Sequence, residues 1–190
     1  RGQFSFIGGE VEVDMSPEEL ETHNKLKGSL FVALSLWIDQ SNLGEILADR
    51  ALLINEGADL ATEPDMMFCS WESLQSRRVW YRASLAGSSR LVEVVGSPDL
   101  VVEVVSERSV RKDTVLLRDK YFRAGIREYW IADGRGASIR LELLSAGADG
   151  YIETPADVEG FLHSRVLNRA FKITRGRNPM GGYSYRVDQR

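Results

Sequence analysis

Glu103 is the residue that a purely structural reading cannot place. It sits inside Leu100-Val101-Val102-Glu103-Val104-Val105, an otherwise continuous run of β-formers. A carboxylate in such a run needs a cation, hydrogen bonds or a metal ion as its partner. Other groups that could join it are spread along the chain. Asp99 lies four residues earlier, in Pro98-Asp99, and a second pair, Pro64-Asp65, precedes the apolar Met66-Met67-Phe68-Cys69. Lys120 falls in a charged helical stretch after Glu103, and Glu19, His23 and Lys27 follow one another at i, i+4 near the N-terminus. Asp99 is about 13 Å from Glu103 along the strand, too far for one ion to bridge, so it reads as a turn or strand-start residue. His23 reads first as a hydrogen-bonded helix histidine and Glu19 first as a capping residue, with a site role second. Ser106 could hydrogen-bond the site or cap the loop that follows, and Cys69 packs as a small apolar residue.

These residues must be positioned by a strand–helix–strand unit, Ser97 to Asp133. The Glu103 strand comes first. A helix over Lys112 to Ala124 follows, ended by Gly125 in the left-handed region, with Leu116, Leu117, Tyr121 and Ala124 as its apolar face. Lys120 shares that face by spacing. A second strand, Tyr129-Trp130-Ile131-Ala132, closes the unit.

Upstream, residues 4–13 read as a hairpin around Gly8-Gly9. Ser16-Pro17-Glu18-Glu19 predicts a helix start with a capping box, and the helix runs to about Asp39. Short strands are expected in Gly44 to Ile54, a turn at Asn55-Glu56-Gly57 and a buried strand at Met66 to Cys69. Ser70 to Val79 holds a short helix, Ser84 to Arg90 a loop and Leu91 to Val95 a short strand or the lead into the central one. Strands are expected at Ser138 to Leu144 and Gly150 to Thr154. Ser164 to Thr174 and Tyr183 to Val187 could be strand or helix.

With 190 residues, 43% apolar and 27% charged, the chain fits one domain, residues 1–190. No apolar run reaches the roughly 18 residues of a membrane span. A single cysteine excludes an intrachain disulfide and a multi-cysteine zinc site, and two histidines argue against a histidine-rich metal centre. With no secretory signal, a cytoplasmic location is expected. The net charge of −4 excludes a generally basic nucleic-acid coat. Charge is uneven, however: residues 161–190 hold seven Arg and Lys against one acid, while residues 1–24 hold six acids. That asymmetry permits a local phosphate-binding face and equally a solvated tail.

The element order is helix, strand, strand, strand, helix, strand. Together with His23 to Leu30 (HNKLKGSL), EPDMMF, SPDLVVEVVS and DKYFRAGIREYWIAD, it resembles the Uma-type family of bacterial "putative restriction endonucleases", within the PD-(D/E)XK nuclease superfamily. The likeness covers roughly residues 10–187. It implies an α/β (α+β mixed) fold with an αβββαβ core, a mixed central sheet flanked by helices and extra C-terminal strands, and metal-dependent cleavage of DNA. By the same likeness Asp65 matches the PD carboxylate and Glu103 the acid of (D/E)XK. The lysine expected two residues later is Val105 here. In this family the lysine lies on the following helix, where Lys120 matches it.

Phosphodiester hydrolysis needs charge neutralisation, an activated water and a stabilised leaving oxygen. Mg²⁺, with Mn²⁺ as substitute, can serve all three from one or two carboxylates. Asp65 and Glu103 converge if their strands pair antiparallel, and a backbone carbonyl near Val104 could add a ligand. Lys120 would supply charge or orient water. DNA is the expected substrate, with no membrane partner, and a two-fold homodimer is the simplest way to cut both strands. The rival reading is a catalytically inactive DNA-binding or assembly module of the same fold, and a third is an enzyme acting on RNA or a nucleotide.

Overall fold

The computed structural model describes residues 3–83 and 89–190. Most of the loop expected over Ser84 to Arg90 lies outside the described residues. Strands β1 (Gln3–Ile7) and β2 (Glu10–Asp14) form the expected hairpin. Gly8 and Gly9 both take positive φ, +61° and +87°, as a two-residue primed turn requires.

The first helix starts later than its sequence suggests. A single π-helical turn, Leu20–Asn24, leads into α1 (Lys25–Gln40). Ser16 cannot cap it, because its N–H and hydroxyl both bond Asp14 Oδ1, at 2.8 and 2.5 Å. Glu19 is the cap instead, accepting from the N–H groups of Glu21, Thr22 and His23 at 2.7, 2.6 and 3.2 Å. Leu26, Leu30, Leu34 and Ile38 form the buried stripe of α1.

Next come β3 (Gly44–Ala48), β4 (Leu52–Asn55), β5 (Leu60–Thr62), β6 (Met66–Ser70), the short α2 (Trp71–Gln75), β7 (Val79–Ala83), β8 (Leu91–Gly96) and β9 (Leu100–Val104). A second π-helical turn, Lys112–Leu116, precedes α3 (Leu117–Arg123). Gly125 follows with φ +72°, the left-handed position that ends the helix. Then β10 (Glu128–Asp133), β11 (Arg140–Ala146), β12 (Tyr151–Glu153), β13 (Leu162–Ser164), β14 (Arg169–Arg177) and β15 (Tyr183–Gln189) complete the chain. The two undecided C-terminal segments are therefore strands.

The central sheet runs β12-β11-β10-β9-β6-β3. It is mixed: β9 and β10 are parallel, and the other pairs are antiparallel. α1, β3, β6, β9, α3 and β10 realise the αβββαβ order. β4, β5, β7 and β8 leave that order to join the hairpin in a second sheet, β2-β1-β5-β4-β8-β7. The core strands read as near-continuous apolar runs because both faces of the central sheet are covered. One face packs against α1 and the small β13-β14-β15 sheet through Met66, Phe68, Val102, Trp130 and Phe171. The other packs against α3 and the second sheet through Met67, Val101, Ile131, Leu117 and Tyr121.

Candidate active site

β6 and β9 run antiparallel, pairing Met66 with Val102 and Met67 with Val101. One step further, the same register sets Asp65 opposite Glu103. The two residues are cross-bonded: Asp65 N–H donates to Glu103 Oε2 at 3.3 Å, and Val104 N–H donates to Asp65 Oδ2 at 2.7 Å. Both are buried, at 6% and 2% exposure. The Tyr121 hydroxyl, from α3, donates to Glu103 Oε1 at 2.7 Å. Each carboxylate thus has one oxygen held by a short hydrogen bond. The others, Asp65 Oδ1 and Glu103 Oε2, are held only weakly, Oδ1 by Lys27 Nζ at 3.5 Å.

Lys120 does not join this pair. Its ammonium donates to the Ala58 carbonyl at 3.0 Å and lies beside Gly8. The reason is helical phase. Leu117, Tyr121 and Ala124, at i, i+4 and i+7, are the residues that enter the core, which puts Tyr121 over Glu103 and Lys120 on the flank. The cation that couples to the site is Lys112, at the start of the π-helical turn. It lines the same cavity, and its Nζ lies 3.5 Å from Asp113 Oδ1.

A cavity of about 380 Å³ opens here, lined among others by Asp14, His23, Asp65, Glu103, Lys112 and Asp113. A wider one, about 680 Å³, shares His23, Asp65 and Arg108 with it and adds Glu18, Lys27 and Asp49. His23 and Lys27 approach Asp65 from α1 and its first turn. His23 Nε2 is 3.7 Å from Asp65 Oδ2, and its Nδ1 is 2.9 Å from Glu18 Oε1. Lys27 pairs with Glu18 and lies 3.2 Å from Asp49. Glu19 serves as the helix cap. Ser106 lines the cavity while exchanging hydrogen bonds with Ser109. Cys69 is buried in the core.

The electrostatics follow from this crowding. Burial pushes the Glu103 carboxyl up to about 8, against the pull of Lys112, and Asp113 and Asp65 push it the same way. Burial also raises Asp113 to about 6. Burial opposes the Lys112 charge, yet Glu103, Asp113 and Asp65 together hold its pKa above the ordinary value. Lys27 behaves alike, with Asp65, Glu18 and Asp49 outweighing burial. Asp113 Oδ1 is buried and accepts no hydrogen bond. The burial and crowding of Asp65, Glu103 and Asp113 are thus only partly offset by Lys112.

That partial offset is the fit test for a divalent cation. Among the described residues no group of three or more His, Cys, Asp or Glu side chains is arranged to hold a metal ion. The hard oxygens of Asp65 and Glu103 do fit the mode in which Mg²⁺ takes one or two carboxylates and keeps its waters.

Asp99 lies at the far end of β9, where its oxygens bond Ser70 N–H, Ser73 Oγ–H, Arg78 and Arg127. The basic C-terminal residues are also largely occupied. Arg175 donates to the carbonyls of Gly134, Gly136 and Ala137, and Arg190 pairs with Asp157 and Glu159.

Spacing set His23 and Lys27 on one stripe of the first helix, but it read His23 first as a hydrogen-bonded helix histidine and gave Lys27 no place in the site. Lys112 and Asp113 carried a weaker signal, adjacent charges at a helix start nine and ten residues after Glu103. Nothing in the sequence marked the π-helical turn that carries them.

The mixed sheet thus sets two acids side by side on adjacent antiparallel strands, next to α3. A family model described as "Uma2: Putative restriction endonuclease" matches residues 1–175, and the chain belongs to that family. Among solved structures it is similar to a putative nuclease of the DUF820 group from Anabaena variabilis ATCC 29413. The TM-score is 0.61 at 11% identity, covering 87% of this chain and 83% of that one. No curated protein matches. Among the described residues no helix is long and apolar enough to cross a membrane.

Proposed function

We propose that the chain is a Mg²⁺- or Mn²⁺-dependent endonuclease that hydrolyses phosphodiester bonds in DNA. The observation that carries this reading is the meeting of Asp65 and Glu103 one register step beyond the β6–β9 ladder, with Lys112 beside them. Asp65 Oδ1 and Glu103 Oε2 would hold the cation, which supplies charge neutralisation and a water of lowered pKa. The Val104 N–H and the Tyr121 hydroxyl fix the two carboxylates in place. Lys112 adds positive charge to the cavity wall and favours an anionic phosphate there. His23 and Lys27 flank Asp65 and hold its orientation.

The test is conversion of supercoiled plasmid and cleavage of single-stranded DNA by wild type, Glu103→Gln, Lys112→Met and Lys120→Met, with Mg²⁺, Mn²⁺ or EDTA. Loss of Glu103 should lower the rate at least ~100-fold and loss of Lys112 ~10- to 100-fold, whereas Lys120→Met stays within about twofold. Equal rates in all four proteins would overturn the site, and cleavage undiminished by EDTA would overturn the metal.

A further inference from the structure

Asp65 and Glu103 lie at the floor of a recess. Only 6% and 2% of their surfaces meet solvent, beneath adjoining cavities of about 380 and 680 Å³. The walls come from several directions. The β1–β2 hairpin supplies Gln3 and Asp14, the approach to the first helix supplies Glu18 and His23, and the segment after β9 supplies Ser106 and Arg108. Together the two linings hold ten carboxylates against four lysine and arginine side chains. Even with Glu103 and Asp113 protonated, acids outnumber bases two to one. The bases are also unevenly placed. Lys27 is spent on Glu18 and Asp49. Arg108, Arg111 and Lys112 all lie on one segment, between β9 and α3. Arg108 and Arg111 are exposed, and neither forms an ion pair with a described residue.

We infer that the site takes single-stranded DNA in preference to duplex, with Arg108 binding a phosphate next to the scissile one. The inference rests on the nuclease reading above and names its substrate class. A scissile phosphate must descend to Asp65 and Glu103. Duplex DNA, with a persistence length of about 150 base pairs, cannot dip one phosphate into a recess without local melting, whereas a single strand can. A duplex also brings about one charge per 1.7 Å of axis, twice that of either strand, against walls rich in acids. It would be positioned by phosphate contacts along both backbones, yet the exposed, unpaired arginines follow one segment only. One row of cations fits one backbone. Arg108 suits the neighbouring phosphate because it lines both cavities, where a strand leaving the floor must pass. Its charge reaches Asp14, but no ion pair holds it, so its planar fork is free to take two phosphate oxygens.

The experiment is fluorescence anisotropy of the full chain with a labelled single strand of ~12 nucleotides and with the matching duplex. Wild type is measured in EDTA and Glu103→Gln in Mg²⁺, two conditions in which the proposed chemistry does not proceed. The single strand should bind at least ~10-fold tighter than the duplex in both. Arg108→Ala should weaken single-strand binding ~5- to 10-fold. It should also reduce the slope of log affinity against log salt by about 0.7, the loss of one phosphate contact. Arg186→Ala, at an exposed position on β15 already paired with Asp188, should change neither. Duplex binding as tight as single-strand binding overturns the inference, as does an absence of single-strand binding. An Arg108→Ala slope equal to that of wild type overturns the role of Arg108. Cleavage is scored apart: if Mg²⁺ supports cutting of neither form, the nuclease reading falls, while the ratio of affinities still decides the strand preference.

Discussion

The β6–β9 ladder has an aspartate at each end, and the two ends are built in opposite ways. Asp65 and Asp99 each follow a proline, each precede a strand, and each are nearly inaccessible, at 6% and 1% exposure. Asp99 is saturated. Its Oδ2 accepts from Ser70 N–H at 2.8 Å, and its Oδ1 accepts from the Ser73 hydroxyl at 2.8 Å and faces Arg78 and Arg127 at 3.0 Å each. Asp65 faces Glu103, another acid, and its Oδ1 has a lysine no nearer than 3.5 Å. The dipeptide is the same, so the difference comes from what lies across the ladder. Two arginines complete a structural site. A second carboxylate leaves a deficit that a bound cation would fill, and such deficits mark functional sites more often than structural ones.

The sharpest break of this contrast is truncation at each end. Asp99→Ala leaves two guanidinium groups facing a buried gap and should cost about 3 kcal/mol. That is the low end for a broken buried pair, because Arg78 and Arg127 keep contact with water. Asp65→Ala leaves no unpaired charge, because Glu103 holds a proton at neutral pH, and strands only the Val104 N–H, so it should cost about 1–2 kcal/mol without metal. Urea denaturation of both variants at neutral pH, without divalent cations, measures the difference. Equal losses would make both ends structural and remove the contrast.

A somewhat smaller effect separates the ends by pH. Because burial raises Glu103 from 4.5 to about 8, the folded chain holds a proton that the unfolded chain has released. Stability should therefore fall as pH rises through that window, by at most about 1.4 kcal/mol per pH unit. Asp113 is raised only to about 6, so it contributes mainly at the acid end and Glu103 dominates the interval from pH 6 to 8. Wild type should lose about 2–3 kcal/mol across it, and Glu103→Gln should be nearly flat. Denaturation midpoints of the two proteins across this range, free of metal, test the assignment. A variant as steep as wild type would place the proton on another group.

The same two ends show how far sequence reasoning reached. The Glu103 and Asp65 strands were legible, because an acid in an apolar run and a Pro-Asp turn are local signals; their antiparallel meeting entered only as a condition, and the choice of Asp65 as partner came from the family resemblance. The demotion of Asp99 was legible as well, since strand rise alone separates it from Glu103. The second sheet was not, because it gathers β1, β2, β4, β5, β7 and β8 from distant stretches that locally read only as short strands. Lys120 was misplaced because spacing assigns a residue to a stripe, whereas burial chooses the phase, and an aromatic ring fills the core where an ammonium would not. Two π-helical turns, Leu20–Asn24 and Lys112–Leu116, shift the residues around the site and have no recognisable composition.

The smallest expected effect concerns how each end is held from outside the ladder. Asp99 is held by α2 and its flanking residues, Ser70, Ser73 and Arg78, and by Arg127. Asp65 instead depends on the first turns of the long helix, which carry His23 and Lys27. That start is fastened by Glu19. Despite the opposing cost of burial, the Thr22 hydroxyl and three amides hold its carboxyl down at about 2. Glu19→Ala should cost about 1 kcal/mol, the usual loss for a helix cap. The more telling measurement is hydrogen exchange. The amides of Glu21, Thr22 and His23 should exchange faster in the variant, while that of Ser70, bonded to Asp99, keeps its wild-type protection. Unchanged exchange at His23 would mean that contacts with Glu18 and Asp65, rather than the cap, fix this side of the site.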